Sequence, residues 1–266
     1  MTAGAEAIAG DIHAEAGRLT ERIRAAGRPI RMMGGLAVWL VAPSVRVAPY
    51  ARPYADLDFA AEGDDRRAIA AFFEGAGYVP EKLFNALHGA TRMNFVHPDS
   101  AWTIDLLFDR LDMSHRIDLR GRLRGPGPTL ELADLLLTKL QIWEINRKDL
   151  GDVICLLADR PVGGGRASRP AAVASVDGAL VELDRIVELT RADWGLCHTV
   201  ERNLRRARDL AAAEPPVGGG QDPVDAIGTI LDAIDAAPKT TGWKIRARVG
   251  ERVPWYQTPE EVRHEA

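Results

Sequence analysis

Two short segments of this sequence carry carboxylates that a hydrophobic core has no use for. In Ala55-Asp56-Leu57-Asp58-Phe59, two aspartates flank a leucine. A strand places alternate residues on one face, so Asp56 and Asp58 point the same way while Leu57 and Phe59 point into the core. Two like charges side by side repel, and a bound divalent cation would reverse the sign of that interaction. The second segment is Trp102-Thr103-Ile104-Asp105-Leu106-Leu107-Phe108. Its even positions form an apolar face, and Asp105 points to the opposite face beside Thr103 and Leu107. A neighbouring strand would bring Asp105 next to the first pair. Three carboxylates make an oxygen-rich site that suits Mg²⁺ or Mn²⁺, completed by substrate phosphates. Asp56, Asp58 and Asp105 are therefore the candidate metal ligands and catalytic residues. A DxD alone is common, so its weight comes from what surrounds it. Asp109 and Asp112 read as solvated loop carboxylates.

Residues suited to phosphate lie on both sides of this constellation. Gly34-Gly35 stands between a short extended piece and a helix start, about twenty residues before the DxD. Glycines let backbone N–H groups approach a phosphate, and a helix N-terminus adds a favourable partial charge. Arg52 precedes Asp56 by four residues and could reach a phosphate or pair with a carboxylate. Tyr54 could stack on a base or simply pack. Lys139 lies in a mostly apolar helix, where its charge needs a partner: a triphosphate, or a carboxylate such as Asp134 or Asp152. Asp149 and Asp152, three apart, share a helix face. They could orient Lys139 or Arg52, or complement the helix start.

The elements that must position these groups follow from hydrophobic period and breakers. Residues 4–26 show the three- and four-residue spacing of an amphipathic helix, stopped by Gly27 and Pro29. Ile30–Met33 reads as a short strand, Leu36–Val41 as the start of a second helix, and Ala55–Ala60 as a strand. Asp64–Ala76 resembles a surface helix. Arg92–Val96 and Trp102–Phe108 are strands joined by the turn His97-Pro98-Asp99-Ser100. Ile117–Leu123 is expected to be a further strand. Leu130–Ile145 and Lys148–Ala158 are strong helices. Pro161–Pro170 is the expected linker, and 172–211 and 222–237 are expected helices. From Pro238 onward no period is visible. Strands mixed with helices up to about residue 160, then helices alone, give an α/β or α+β domain at 1–160 and a helical domain at 161–266.

Composition narrows the classes. At 266 residues the chain can bury a sizeable core, and 46% hydrophobic content is ordinary for a soluble protein. With 34 basic and 38 acidic residues the net charge is −4, which excludes a polycation that coats nucleic acid. Cys155 and Cys197 sit in apolar stretches without CxxC partners and read as core residues in a reducing cytoplasm. Glu6, Asp11 and Glu15 interrupt any N-terminal apolar run. No uncharged run approaches the ~18 residues that would cross a bilayer, so no membrane partner is expected. His88, His97, His115 and His198 show no metal-ligand spacing.

Taken together, Gly34-Gly35-Leu36-Ala37, then Arg52-Pro53-Tyr54-Ala55-Asp56-Leu57-Asp58, then Ile104-Asp105-Leu106 resemble the AbiEii-type nucleotidyltransferases. These are relatives of the DNA polymerase β-like superfamily. Leu137-Thr138-Lys139-Leu140 continuing to Arg147-Lys148-Asp149-Leu150-Gly151-Asp152 completes the match, which spans roughly residues 30–160. The resemblance implies a nucleotidyltransferase-fold mixed sheet with flanking helices. It also implies that Gly34, Gly35, Asp56 and Asp58 bind nucleotide and metal, that Lys139 contacts phosphate, and that Asp152 is the downstream active-site carboxylate. Departures are Tyr54, where the family often has Ser, and a proline-rich loop from Val41 to Ala51 that looks longer than usual. The implied reaction moves a nucleoside monophosphate from a nucleoside triphosphate such as ATP to an acceptor hydroxyl. The family includes toxins of toxin–antitoxin pairs, so a protein antitoxin is an implied partner, and some similar proteins act on tRNA ends.

The acceptor is open between RNA such as tRNA and a small molecule. Arg116, Arg120, Arg122 and Arg124 form one basic run, and Arg202, Arg205, Arg206 and Arg208 a second. Lys244, Arg246 and Arg248 form a third, beside Trp243, which could stack on a base. The second run reads equally as a solvated helix face paired with Glu201 and Asp209. A reading from another class is a catalytically silent nucleotide-sensing or protein-binding module on the same fold.

Overall fold

The computed structural model describes residues 10–100, 102–164 and 179–258. The start of the expected first helix, most of the expected linker and the residues around 172 lie outside this set. In chain order the elements begin with α1 (Ile12–Ala25), β1 (Ile30–Met33), α2 (Gly34–Val41), β2 (Asp56–Ala61) and α3 (Arg66–Gly75). There follow β3 (Val79–Pro80), α4 (Lys82–His88), β4 (Arg92–Val96), β5 (Thr103–Phe108), β6 (Arg110–Asp112) and β7 (Arg116–Asp118). Helices α5 (Leu132–Leu140) and α6 (Arg147–Asp159) precede β8 (Val162–Gly163) and β9 (Val181–Glu182). The remainder is α7 (Leu183–Ala192), α8 (Trp194–Ala213), α9 (Pro223–Ala236) and α10 (Thr241–Val249).

The fold is mixed α/β. Five strands form one sheet in the order β1-β2-β5-β4-β3. Only β2 and β5 run parallel; the other neighbours are antiparallel. The β4–β5 hairpin turns on His97, whose Nδ1 accepts from the backbone N–H of Asp99 and Ser100, both at 3.2 Å. Alternation sorts the faces. Leu57, Phe59, Phe95, Ile104 and Leu106 are fully buried on one side. There Phe73 of α3 contacts Phe59 and Phe95 at ring-centroid distances of 5.4 and 5.5 Å. The opposite side of β2 and β5 carries the aspartates and faces α2 and α5.

Three departures from the sequence reading have identifiable causes. Helix α5 ends at Leu140 rather than Ile145, because Asn203 of α8 donates to the carbonyls of Leu140 (2.9 Å) and Ile142 (2.7 Å). Those bonds satisfy carbonyls that a continuing helix would have used. The expected helix from 172 to 211 is broken at Asp193, which caps α8 by accepting from Leu196 N–H at 3.1 Å. The expected strand Ile117–Leu123 shrinks to β7, paired only with β6, and the chain then turns, with Leu119 and Leu123 still buried. Helices α4 and α10 bury no residue, so neither leaves an apolar period in the sequence.

The C-terminal helices are not a detached layer. Leu196, Leu204, Ile227 and Ile230 belong to the same continuous buried cluster as Leu57, Leu136 and Ile154. Both cysteines are buried. Burial pushes the Cys155 thiol well above its usual range and Cys197 up to about 12, which suits inert packing residues. No helix among the described residues is long and apolar enough to cross a membrane.

Candidate active site

The pairing register decides where the carboxylates meet. Asp58 of β2 lies directly opposite Asp105 of β5, and Asp56 opposite Thr103. In a parallel pair, residues in register share a face, so all three aspartates project from the same side of the sheet. They do not form a ready ligand set. Asp56 is exposed and accepts a hydrogen bond from Thr103 Oγ1 at 2.8 Å. Asp105 is gripped by both arms of Arg92, Nε and Nη2 each donating at 2.6 Å. Among the described residues, no three His, Cys, Asp or Glu side chains are grouped so as to hold a metal ion.

Asp58 differs from its neighbours. Its carboxylate has no hydrogen-bond or ion-pair partner among the described residues. Burial, then the adjacent Asp105, holds its carboxyl well above the usual carboxylate range, at about 7, with Lys139 pulling less strongly the other way. An unneutralised carboxylate beside a second one is the donor chemistry a hard divalent cation takes, with remaining positions left to water and phosphate oxygens. Asp58 and Asp105 therefore fit such an ion as a pair, with Asp56 next along the strand.

The glycine pair is explained by the aspartates themselves. Gly34 has φ +72°, and a Cβ there would lie 1.9 Å from Asp58 Oδ2. At Gly35 a Cβ would lie 2.6 Å from Arg52 Nη2 and 2.9 Å from the Tyr54 ring. Only glycine lets α2 begin directly on top of the DxD strand. The start of α2 has no side-chain cap, so no capping side chain occupies its first N–H groups.

Behind this lies a buried ion-pair network. Lys139 of α5 sits 2.6 Å from Asp149 Oδ1 and 3.0 Å from Asp152 Oδ2. Arg52 donates through Nη2 to both oxygens of Asp152, at 3.0 and 2.8 Å, and stacks over Tyr54 at 4.3 Å. Burial alone would lower the Lys139 pKa, but Asp152 and Asp149 outweigh it and the ammonium is held charged. The partner of Lys139 is thus Asp149 and Asp152 and not Asp134, which binds Arg122 and Arg185 instead. Asn146 caps α6 by accepting from Asp149 N–H at 3.0 Å and donates through Nδ2 to Asp149 Oδ2 at 2.9 Å, which leaves Oδ1 for the lysine. Tyr54 packs: its hydroxyl is buried without a partner, and burial pushes its pKa up to about 12.

A cavity of about 300 Å³ opens over these groups, at the lower end of ligand-site volumes. Gly34, Asp58, Arg92, Asp105, Lys139 and Asp149 line it. Four of the sequence-derived candidates thus face the cavity. Gly35, Arg52, Asp56 and Asp152 do not; they stand beside or beneath it. Arg92 is the residue that sequence reasoning missed. The alternation Arg92-Met93-Asn94-Phe95 puts Arg92 and Asn94 on the polar face, and a β4–β5 hairpin necessarily turns that face toward Asp105.

The proposed nucleic-acid patches fare differently. Arg116 pairs with Asp112, Arg120 with Asp118, Arg122 with Glu131 and Asp134, and Arg124 with Glu62. That run is therefore a set of neutralised pairs rather than an open basic surface. Arg205 pairs with Glu201, in keeping with a solvated helix face. Trp243 is half-buried against the core with its indole N–H enclosed. Asp109 and Asp112 are also more than solvated loop acids. Asp109 has φ +65° and accepts from Gly63 N–H at 2.8 Å, while Asp112 lies in β6 between Arg110 and Arg116. Comparison with models of protein families, with curated proteins and with solved structures gave no match for this chain.

Proposed function

We infer that this chain is a metal-dependent nucleotidyltransferase that moves a nucleoside monophosphate from a nucleoside triphosphate to an acceptor hydroxyl. The observation that carries the reading is the uncompensated Asp58 carboxylate, paired in register with Asp105 and pressed against the uncapped start of α2. Asp58 and Asp105 would hold Mg²⁺ or Mn²⁺, with Asp56 as a further ligand. The ion would supply charge neutralisation on the triphosphate and polarisation of the acceptor oxygen. Backbone N–H groups at Gly34-Gly35 bind phosphate oxygens. Lys139, charged and facing the cavity, balances the phosphate charge that develops during transfer. Asp152 acts through Lys139 and Arg52, fixing their positions. Asp105, oriented by Arg92, takes the acceptor proton.

One observation favours the silent nucleotide-binding module instead: Arg92 already occupies both oxygens of Asp105. The two readings separate when each of the four α-³²P nucleoside triphosphates is incubated with the protein, Mg²⁺ and total tRNA. Label entering RNA, and lost in Asp58→Ala, supports transfer. Saturable nucleotide binding without label in any acceptor supports the module. An antitoxin partner and a cytoplasmic setting belong to the transfer reading and share its fate.

A further inference from the structure

A second cavity, of about 570 Å³, lies between the C-terminal end of α1 and the segment from Arg124 to Pro128. It is nearly twice the volume of the aspartate cavity, and its charged lining is lopsided. Arg24, Arg28, Arg31 and Arg124 face it against a single acid, Glu21. Glu21 is tied to Arg24, and Arg124 to Glu62. Arg28 and Arg31 have no carboxylate within ion-pair distance among the described residues. Two positive charges are therefore left over, in a protein whose net charge is −4.

Arg31 is the more telling of the two. It is only 9% exposed, yet its guanidinium meets only backbone carbonyls: Ile30 at 2.6 Å, Arg28 at 3.5 Å, and Gly125. Burial depresses its pKa, with no neighbouring acid to offset the loss of water. Backbone carbonyls supply this guanidinium with hydrogen bonds but no negative charge, and an anion would neutralise it. The rest of the wall is Gly27, Pro29 and the Gly125–Pro128 turn, so no bulky side chain fills the space.

We propose that this arginine-lined cavity is a second anion site that binds a phosphate group through Arg28 and Arg31. Planar guanidinium forks match phosphate oxygens in pairs. Position suggests where the phosphate comes from. Arg31 and Met33 are two apart on β1 and share a face, and Met33 lines the aspartate cavity. Their Cα atoms are thus about 7 Å apart along the strand, so β1 runs from one cavity to the other. A phosphate in the second cavity belongs to an acceptor strand whose hydroxyl end reaches Asp105, an assignment that rests on the transfer reading.

The test uses the full chain and Arg28→Gln, since Arg28 is half-buried and its side chain makes no hydrogen bond or ion pair among the described residues, so the fold is expected to survive its loss; Arg31→Gln is the second variant. Thermal unfolding is followed in inorganic phosphate and in sodium chloride of matched ionic strength. In parallel, a fluorescein-labelled single-stranded RNA is titrated by anisotropy, and a fluorescent ATP analogue with Mg²⁺ is titrated separately. Phosphate is expected to raise the wild-type unfolding midpoint above the chloride value, and Arg28→Gln to abolish the difference. RNA affinity is expected to fall about tenfold in Arg28→Gln with a shallower salt dependence, while ATP-analogue affinity is unchanged. Equal midpoints in phosphate and chloride for the wild type would overturn the site. A phosphate effect without RNA loss keeps the anion site and overturns the acceptor-strand source. Failure of the ATP analogue to bind, with the phosphate effect intact, counts against the transfer reading alone.

Discussion

Replacing Asp152 by asparagine removes one negative charge from a buried network without changing its shape. Asp152 is completely buried, and the side chains of Lys139 and Arg52 are 11% and 19% exposed. Removing one partner of such an arrangement leaves cations facing each other in a poorly solvated space, at about 3–5 kcal/mol. Lys139 keeps Asp149 at 2.6 Å, which places the loss at the lower end, about 3 kcal/mol. For a chain of this size each kcal/mol moves the unfolding midpoint by about 2–4 °C, so Asp152→Asn is expected to unfold about 6–12 °C lower. Circular dichroism melts of wild type, Asp152→Asn, Arg52→Gln and the double variant measure this. The two substitutions share a contact and are expected to be clearly less than additive. The pH dependence has a definite sign. Lys139 has its pKa raised in the folded state, so its contribution is complete below the unfolded lysine value of about 10.4 and is lost only as pH rises through the folded one. A midpoint shift under 2 °C, or full additivity, would refute the picture of Asp152 as the shared anchor of both cations.

Two further outcomes follow from the same cavity. Arg92→Met removes the cation that grips Asp105 and is expected to raise Mn²⁺ affinity roughly tenfold by calorimetric titration; unchanged or weaker binding contradicts Arg92 as a competitor for that carboxylate. Asp58 carries a raised pKa of about 7, so its proton and a divalent ion compete. Mn²⁺ affinity is expected to be flat at alkaline pH and to fall about tenfold per unit once pH drops below that value. Asp58→Asn should bind weakly at every pH, and a wild-type profile that is flat down to pH 5.5 speaks against Asp58 as a ligand.

Much of the fold was legible because its cues are local. The β4 and β5 segments, the turn at His97-Pro98 and the glycine break before α2 are written in neighbouring residues, and the structure reproduces them within a residue or two. The meeting of Asp58 and Asp105 was accessible in outline, since alternation fixed the faces; the parallel register that sets them opposite each other is tertiary. What escaped depended on distant partners. Leu140 ends α5 because Asn203, more than sixty residues away, takes its carbonyl. Arg52 and Lys139 each stood open between a phosphate and a carboxylate, and only the packing of α6 shows that Asp152 binds both. The Arg116–Arg124 run looked basic because Arg122 and Arg124 find their acids in Glu62, Glu131 and Asp134 of other segments, while Arg116 and Arg120 pair locally with Asp112 and Asp118. Arg31 looked like an ordinary strand residue until its burial without an acid became visible.

The most direct measurement follows the two ends of the triphosphate separately. The protein is incubated with Mg²⁺, total tRNA and each nucleoside triphosphate labelled at either the α or the γ phosphate, alongside Asp58→Asn. Nucleotidyl transfer requires the α label to enter the acceptor and the γ label to leave as pyrophosphate, with both signals gone in the variant. Retention of γ label in the acceptor, or α incorporation that survives loss of Asp58, would contradict it.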